Sequence, residues 1–278
     1  MNMQSSHSTF AAASAAQADV PFLIPGRPPF RYDLPKAWRY FRALVKNKED
    51  TTLVFPIFEA LPWKGVEAAA RTFCESDAGK ALFAAEPFLP PILDDHAALR
   101  LMPEGSLAHA YCDFMEREGL TAGGLVDEFE TFMGDRPRFD DRFQWYFNRM
   151  RDSHDLIHIL TGYGRDALGE QCVLTFTYGQ QPTLANLFIG YVGVFDIKGQ
   201  VKSKAPVLRA VREGHRLGKA CPRLIELPIL ELLPLPIDEV RRRLNITLPA
   251  RYAEVHRVWR GMGVDPYDML GGEAAKAA

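Results

Sequence analysis

The chain has 278 residues, 47% hydrophobic and 24% charged, with 33 Lys and Arg against 35 Asp and Glu. Such a composition can bury one large core or two small ones, which excludes a disordered chain, a collagen and a disulfide-dense mini-protein. The net charge of −2 argues against nucleic-acid binding by the chain as a whole but leaves room for a local basic face.

Residues 1–19 are rich in Ala and Ser and contain no Arg. They are expected to form a disordered tail rather than a signal or transit peptide. Five prolines between Val20 and Pro35 predict an extended, irregular arm. Helical signals follow: apolar residues recur at three- and four-residue spacing in Trp38–Lys46, Val66–Cys74, Ala78–Ala85 and Ser106–Glu118. Prolines at 56, 62, 87, 90 and 91 mark the turns between them. The acidic run Asp127–Glu130 precedes a turn at Gly134 to Pro137. Phe139 to about Leu160 reads as one long helix closed by Gly162 and Gly164, and Arg165 to about Tyr178 as its antiparallel partner. Pro206 opens a helix running to about Lys219, and Pro236–Asn245 and Arg251–Arg260 are two more.

Alternating strand patterns are almost absent. The expected fold is therefore all-α: a single-domain helical bundle over residues 20–262, with an irregular proline-rich N-terminal arm and a frayed tail at 263–278. The apolar stretch Leu187–Phe195 has nine residues, against the roughly 20 that a membrane span needs. The chain is expected to be soluble or to lie on a membrane surface. Cys74, Cys112, Cys172 and Cys221 are isolated, with no CxxC, and are expected as reduced buried thiols.

The stretch that carries chemistry is His154-Asp155-Leu-Ile-His158. At about 100° per residue, His158 lies about 40° and Asp155 about 100° from His154, so three donor side chains share one arc. Phe143, Phe147 and Met150 precede His154 on the same face, so the imidazoles should point into a core or pocket. If the chain reverses at Gly162–Gly164, Glu170 comes level with His158. Two imidazoles and two carboxylates then converge, a set suited to zinc or another divalent metal. Two hydrogen-bonded core histidines are the plain alternative. The zincin pattern fits less well because Asp155 is shorter than the Glu it requires, and a ferritin-like site would need a second ligand-rich helix. An HD-type phosphohydrolase would draw on His96 or His109 and on Asp196, and nothing selects them. No GxGxxG, P-loop or GxSxG occurs.

His-Asp-x-x-His followed by eleven residues and Glu resembles the hallmark of the Coq4 family of coenzyme Q (ubiquinone) biosynthesis proteins. Glu75-Ser-Asp-Ala-Gly79, Leu101–Leu107 with Tyr111, Tyr146–Asp152, Leu168-Gly-Glu170 and Val240–Ile246 extend the likeness over roughly residues 36–250. The resemblance implies a helical protein peripheral to membranes, holding zinc or a similar metal at His154, Asp155, His158 and Glu170. It implies removal of the ring carboxylate from a polyprenylated 4-hydroxybenzoate intermediate at carbon one, in some accounts together with hydroxylation. Asp155 or Glu170 would be the proton-carrying catalytic residue. It also implies the alternative role of a non-catalytic lipid-binding scaffold for other ubiquinone-biosynthesis enzymes. A homo-oligomer on the cytoplasmic, inner face of a bacterial membrane is the expected setting, without nucleic acid.

Two surfaces suit a lipid substrate. Tyr146, Phe147 and Met150 are candidates to line an isoprenoid channel, ordinary core being the alternative. Arg209, Arg212, Arg216 and Lys219 form one cationic stripe, beside an apolar and small-residue stripe at Val207, Ala210, Val211, Gly214 and Leu217. An interfacial helix on anionic lipid has this form, and so does a solvated helix with its apolar side on the core.

Overall fold

The computed structural model describes residues 20–47 and 50–270. The tail expected at 1–19 and the last residues of the C-terminal tail lie outside these. The longer helices are α1 (Leu34–Lys46), α2 (Val54–Ala60), α3 (Val66–Cys74), α4 (Asp77–Ala85), α5 (Leu107–Glu118), α6 (Ala122–Met133) and α7 (Arg142–Asp152). They continue as α8 (His154–Thr161), α9 (Ala167–Gln180), α10 (Leu184–Gln200), α11 (Val207–Ala220), α12 (Ile237–Arg243) and α13 (Ala250–Gly261). Single helical turns punctuate the connections, and among the described residues there is no strand. The fold is all-α.

Many helices start on a side-chain cap that satisfies backbone N–H groups the first turn leaves unpaired. Ser106 caps α5, Asp141 caps α7, Asp166 caps α9 and Thr183 caps α10. At α7 the chain ahead of α1 helps: the carbonyls of Pro21 and Phe22 accept from the N–H groups of Arg142 and Phe143, both at 3.0 Å. The Arg27 guanidinium closes this corner on Asp141 at 2.6 Å.

α9 is the central helix, with α10 and α11 packed against it. Three glycines make the α9–α11 contact unusually close. A Cβ at Gly218 would sit 1.9 Å from the Phe176 carbonyl oxygen, one at Gly179 2.5 Å from that of His215, and one at Gly214 2.6 Å from that of Cys172. Thr175 Oγ1 donates across the contact to the Val211 carbonyl at 2.9 Å. Val207, Ala210, Val211 and Leu217 are thereby buried in the main core. Of the two readings of the Arg209, Arg212, Arg216 and Lys219 stripe, this packing favours the solvated helix with its apolar side on the core. The four cations are exposed, and the apolar side is spent on the core except for Leu208, which stays 37% exposed.

Other differences are local. The long helix expected from Phe139 breaks at Ser153, whose ψ of 2° separates α7 from α8. Serine's side chain competes with the helical backbone, which makes it a natural breaking point. The apolar run at 187–195 is the middle of α10, which buries Ile189, Gly190, Gly193, Val194 and Ile197 on one side and carries further apolar residues on the other, Phe195 at 74% exposure among them, so it has no amphipathic signature. Residues 263–270, expected to be frayed, include a 3₁₀ turn at Pro266–Leu270 packed on α9 and α13. All four cysteines are buried free thiols.

Candidate metal centre and its cavity

α8 and α9 are joined by a tight reversal at residues 162–166. Gly162 ends α8 with φ of 76°, in the left-handed region that favours glycine. Asp166 starts α9 by accepting from the N–H groups of Leu168 at 3.1 Å and Gly169 at 3.3 Å. The reversal sets His158, in the last turn of α8, against Glu170, in the first turn of α9.

His154 Nε2 and His158 Nε2 lie 3.3 Å apart, and they are 3.6 and 3.5 Å from Glu170 Oε2. Donors bound to one ion at about 2.0–2.1 Å in a tetrahedral arrangement are roughly 3.3–3.4 Å from each other. The triangle thus has the dimensions of one coordination face. His158 Nδ1 faces the Tyr163 carbonyl at 3.1 Å, and donating there leaves the Nε2 lone pair directed at the triangle. The buried His158 ring also stacks on Phe114, with centroids 5.7 Å apart. His154 and Glu170 are partly exposed. This donor set could hold zinc or another divalent ion and would leave a coordination position open.

In the metal-free protein the three groups couple through protons. Burial works against charge on His158, yet the neighbouring Glu170 carboxylate raises its pKa above the ordinary value. Burial also opposes ionisation of Glu170, but the His158 and His154 imidazoles hold its carboxyl well below the usual carboxylate range.

Asp155, the fourth expected ligand, is not part of this triangle. It lines the same cavity, with its carboxylate outside the set of ligand atoms that lie within 4.8 Å of one another. A residue adjacent to His154 points about 100° away around the helix axis, which accounts for the separation.

The cavity has a volume of about 630 Å³, within the usual range for small-molecule sites. Its polar end carries His154, Asp155, Glu170, Arg151 and Arg165, the last with Nε 4.0 Å from Glu170 Oε1. Its apolar walls come from α1, α2, α6 and α10, through side chains such as Phe41, Phe58, Phe129 and Ile189. Of the three candidates for an isoprenoid channel, Phe147 and Met150 line this cavity. Tyr146 does not. One residue before Phe147, it turns into a separate core cluster against Phe73, with ring centroids 6.3 Å apart.

A clamp invisible in the sequence stands behind the reversal. The Tyr252 hydroxyl donates to Asp166 Oδ2 and accepts the Gly164 N–H at 2.9 Å, while His256 Nε2 lies 3.2 Å from Asp166 Oδ1. The one sequence hint is that Tyr252 and His256 are four apart and share the buried side of α13 with Val255 and Trp259. A second group with metal-ligand chemistry, His96, Cys112 and Glu116, lies elsewhere. There Glu116 is already held by Arg100 at 2.8 Å and faces His96 Nδ1 at 3.0 Å. His109 Nε2 lies 3.1 Å from the Arg100 carbonyl oxygen, and neither His96 nor His109 lines the cavity, which removes the phosphohydrolase grouping.

A helical protein with a His–His–Glu centre in the wall of an apolar cavity is the class that fold and site define. The profile of the family described as Coenzyme Q (ubiquinone) biosynthesis protein Coq4 matches residues 41–250, and the chain belongs to that family. Among its relatives, the Culex quinquefasciatus ubiquinone biosynthesis protein COQ4 homolog 2, mitochondrial, is 31% identical over 131 residues, covering 47% of this chain and 56% of the relative. The Aspergillus clavatus ubiquinone biosynthesis protein coq4, mitochondrial, is 26% identical over 167 residues, covering 58% and 54%. The chain thus spans about half the length of the curated relatives it matches. A crystal structure from Nostoc punctiforme PCC 73102, of a protein assigned to ubiquinone biosynthesis, superposes with a TM-score of 0.53 at 21% identity. It covers 77% of this chain and 98% of that one, and it supports the fold alone. Among the described residues, no helix is long and apolar enough to cross a membrane.

Proposed function

We propose that the protein is a metal-dependent carbon–carbon lyase of ubiquinone biosynthesis, removing the C1 carboxylate from a polyprenylated 4-hydroxybenzoate intermediate. The observation that carries this reading is the His154–His158–Glu170 triangle in the wall of an apolar cavity of about 630 Å³. The three residues would hold zinc or a similar divalent ion. When bound, such an ion supplies a Lewis acid able to orient a carboxylate or phenolate and stabilise charge developing on it.

The chain's own groups do the rest. Arg165, beside Glu170, offers a cation to the substrate's carboxylate. The walls from α1, α2 and α10 take the prenyl tail and exclude water. In the reaction the ring–carboxylate bond breaks, its electron pair passes into the ring at C1, carbon dioxide leaves, and a proton adds at C1. Asp155, free of the triangle and facing the cavity, is the group assigned to deliver that proton. A tail-bearing substrate resides in a bilayer, so collection from a membrane surface belongs to this reading, as does contact with neighbouring pathway enzymes or further copies of the chain.

The alternative role is a lipid-binding scaffold with a structural ion. Three protein donors with an open position speak for the enzyme, since structural zinc sites are usually closed by four. The test is turnover of a synthetic prenylated 4-hydroxybenzoate by the zinc-loaded protein in detergent micelles. Carbon dioxide release that disappears in Asp155→Ala is expected. A correctly folded, metal-loaded protein that binds the substrate without turning it over would make it a scaffold. Hydrogen or hydroxyl at C1 in the product would tell simple from oxidative decarboxylation.

A further inference from the structure

The apolar stripe of α1 runs past the edge of the core. Leu34, Trp38, Phe41 and Val45 follow one another at spacings of four, three and four, so they share one face. Phe41 and Val45 face inward and line the cavity. Trp38 stacks on Phe41, with centroids 5.9 Å apart, yet is 51% exposed, and Leu34 is 67% exposed. The Trp38 ring also meets Phe188 at 6.2 Å, one turn along α10 from the exposed Leu184. Arg39, Arg42 and Lys46 are exposed at about 80–140° around the helix from this stripe. No acidic residue occurs between Leu34 and Lys46.

We propose that α1, extended by Leu184, is the face that docks on an anionic lipid bilayer and opens an apolar path from the bilayer into the cavity. The proposal rests on the reading of that cavity as the site for a prenyl tail. α1 has what α11 lacks. Both helices present cations, but α11 leaves one large apolar side chain, Leu208, 37% exposed beside them, whereas α1 leaves both Leu34 and Trp38 more than half exposed, and only the α1 stripe continues into the cavity wall. An exposed Trp next to Arg and Lys is the arrangement of an interfacial helix. A symmetric second copy fits the face poorly, because Arg39, Arg42 and Lys46 would meet their own kind without acidic partners.

The test is flotation of the purified full-length protein with phosphatidylcholine vesicles and with vesicles enriched in phosphatidylglycerol. Two companion readouts are thermal unfolding and binding of a prenylated 4-hydroxybenzoate in detergent micelles, where no bilayer is needed. Leu34→Glu and Trp38→Glu are expected to lower partitioning to the anionic vesicles about tenfold or more. Leu34→Glu, whose side chain is mostly in water, should unfold and bind the micellar ligand like the parent. The combined Arg209→Glu, Arg212→Glu and Arg216→Glu variant should still float. Failure of the parent to float on anionic vesicles while it binds the micellar ligand would overturn the docking face and leave the proposed function standing. Flotation without ligand binding would do the reverse. Undiminished flotation of Leu34→Glu and Trp38→Glu would also overturn the proposal, as would a self-association, measured by light scattering, that these variants abolish in a parent that does not float.

Discussion

Asp166→Ala separates what the α8–α9 reversal does for stability from what it does for the candidate metal centre. The carboxylate caps α9, receives the Tyr252 hydroxyl and faces His256, and it is fully buried. Losing the cap costs about 1 kcal/mol. Leaving the Tyr252 hydroxyl and the His256 ring buried without their acceptor adds about 1–3 kcal/mol. The total of about 2–4 kcal/mol corresponds to a fall in Tm of roughly 3–8 °C for a chain of this size. The same turn carries the Tyr163 carbonyl that orients His158, and it starts the helix that carries Glu170. Outer partners of this kind are typically worth 10–100-fold in metal affinity, so zinc should bind at least about tenfold more weakly. Asp166→Asn keeps a capping oxygen and should fall between the parent and Ala in both respects. The assays are thermal unfolding of the metal-free protein and zinc affinity by chelator competition. An Asp166→Ala protein with a lowered Tm and parental zinc affinity would show that the clamp holds the fold and not the site.

Further outcomes follow from the contacts and burial of particular side chains. Stripping metal with a chelator should leave the far-UV circular dichroism helical, because His158 is fixed by Phe114 and Tyr163 whether or not an ion is bound. His158→Ala should then abolish stoichiometric zinc uptake, and full uptake would remove that residue from the ligand set. Glu86→Ala strands the buried Arg149 guanidinium, which Glu86 meets at 2.7 Å, and should cost about 3–5 kcal/mol in urea unfolding. A cost under about 1 kcal/mol would mean that solvent reaches the pair. Burial pushes the Cys74 and Cys221 thiols up to about 12, so both stay protonated in the native protein at pH 8, and a thiol reagent should react fully only after denaturation. Because folding raises these pKa values, the two groups should make stability fall as pH rises above about 8.5, and a rise there would contradict the burial argument.

The approach of His154, His158 and Glu170 was legible in the sequence because every relation that builds it is short-range, while the separation of Asp155 from them was not. His154 and His158 are one helical turn apart, and the reversal to Glu170 is written in Gly162 and in the capping Asp166. The helices were legible for the same reason, wherever one side meets solvent. α10 was not, because its outer side also carries apolar residues, Leu184 and Phe195 among them, and without a polar face the period loses its contrast. The clamp was not legible either. Asp166 meets Tyr252 and His256 across 86 and 90 residues of chain, and no local pattern encodes such a contact.

The two cationic helices show where pattern reading stops in principle. α1 and α11 both write an apolar stripe beside a basic one, and periodicity can state only that some apolar partner exists, not whether it is protein or lipid. On α11 the answer hangs on Gly179, Gly214 and Gly218, which let its backbone meet α9 so closely that, of its large apolar side chains, only Leu208 stays exposed. On α1 the stripe has more length than the core can cover, so Leu34 and Trp38 stay in water while Phe41, one turn inward, reaches the cavity. The basic residues are equally prominent in both sequences. What separates the helices is the fate of the apolar side, and only α1 retains enough of it, in contact with the cavity wall, to meet a bilayer.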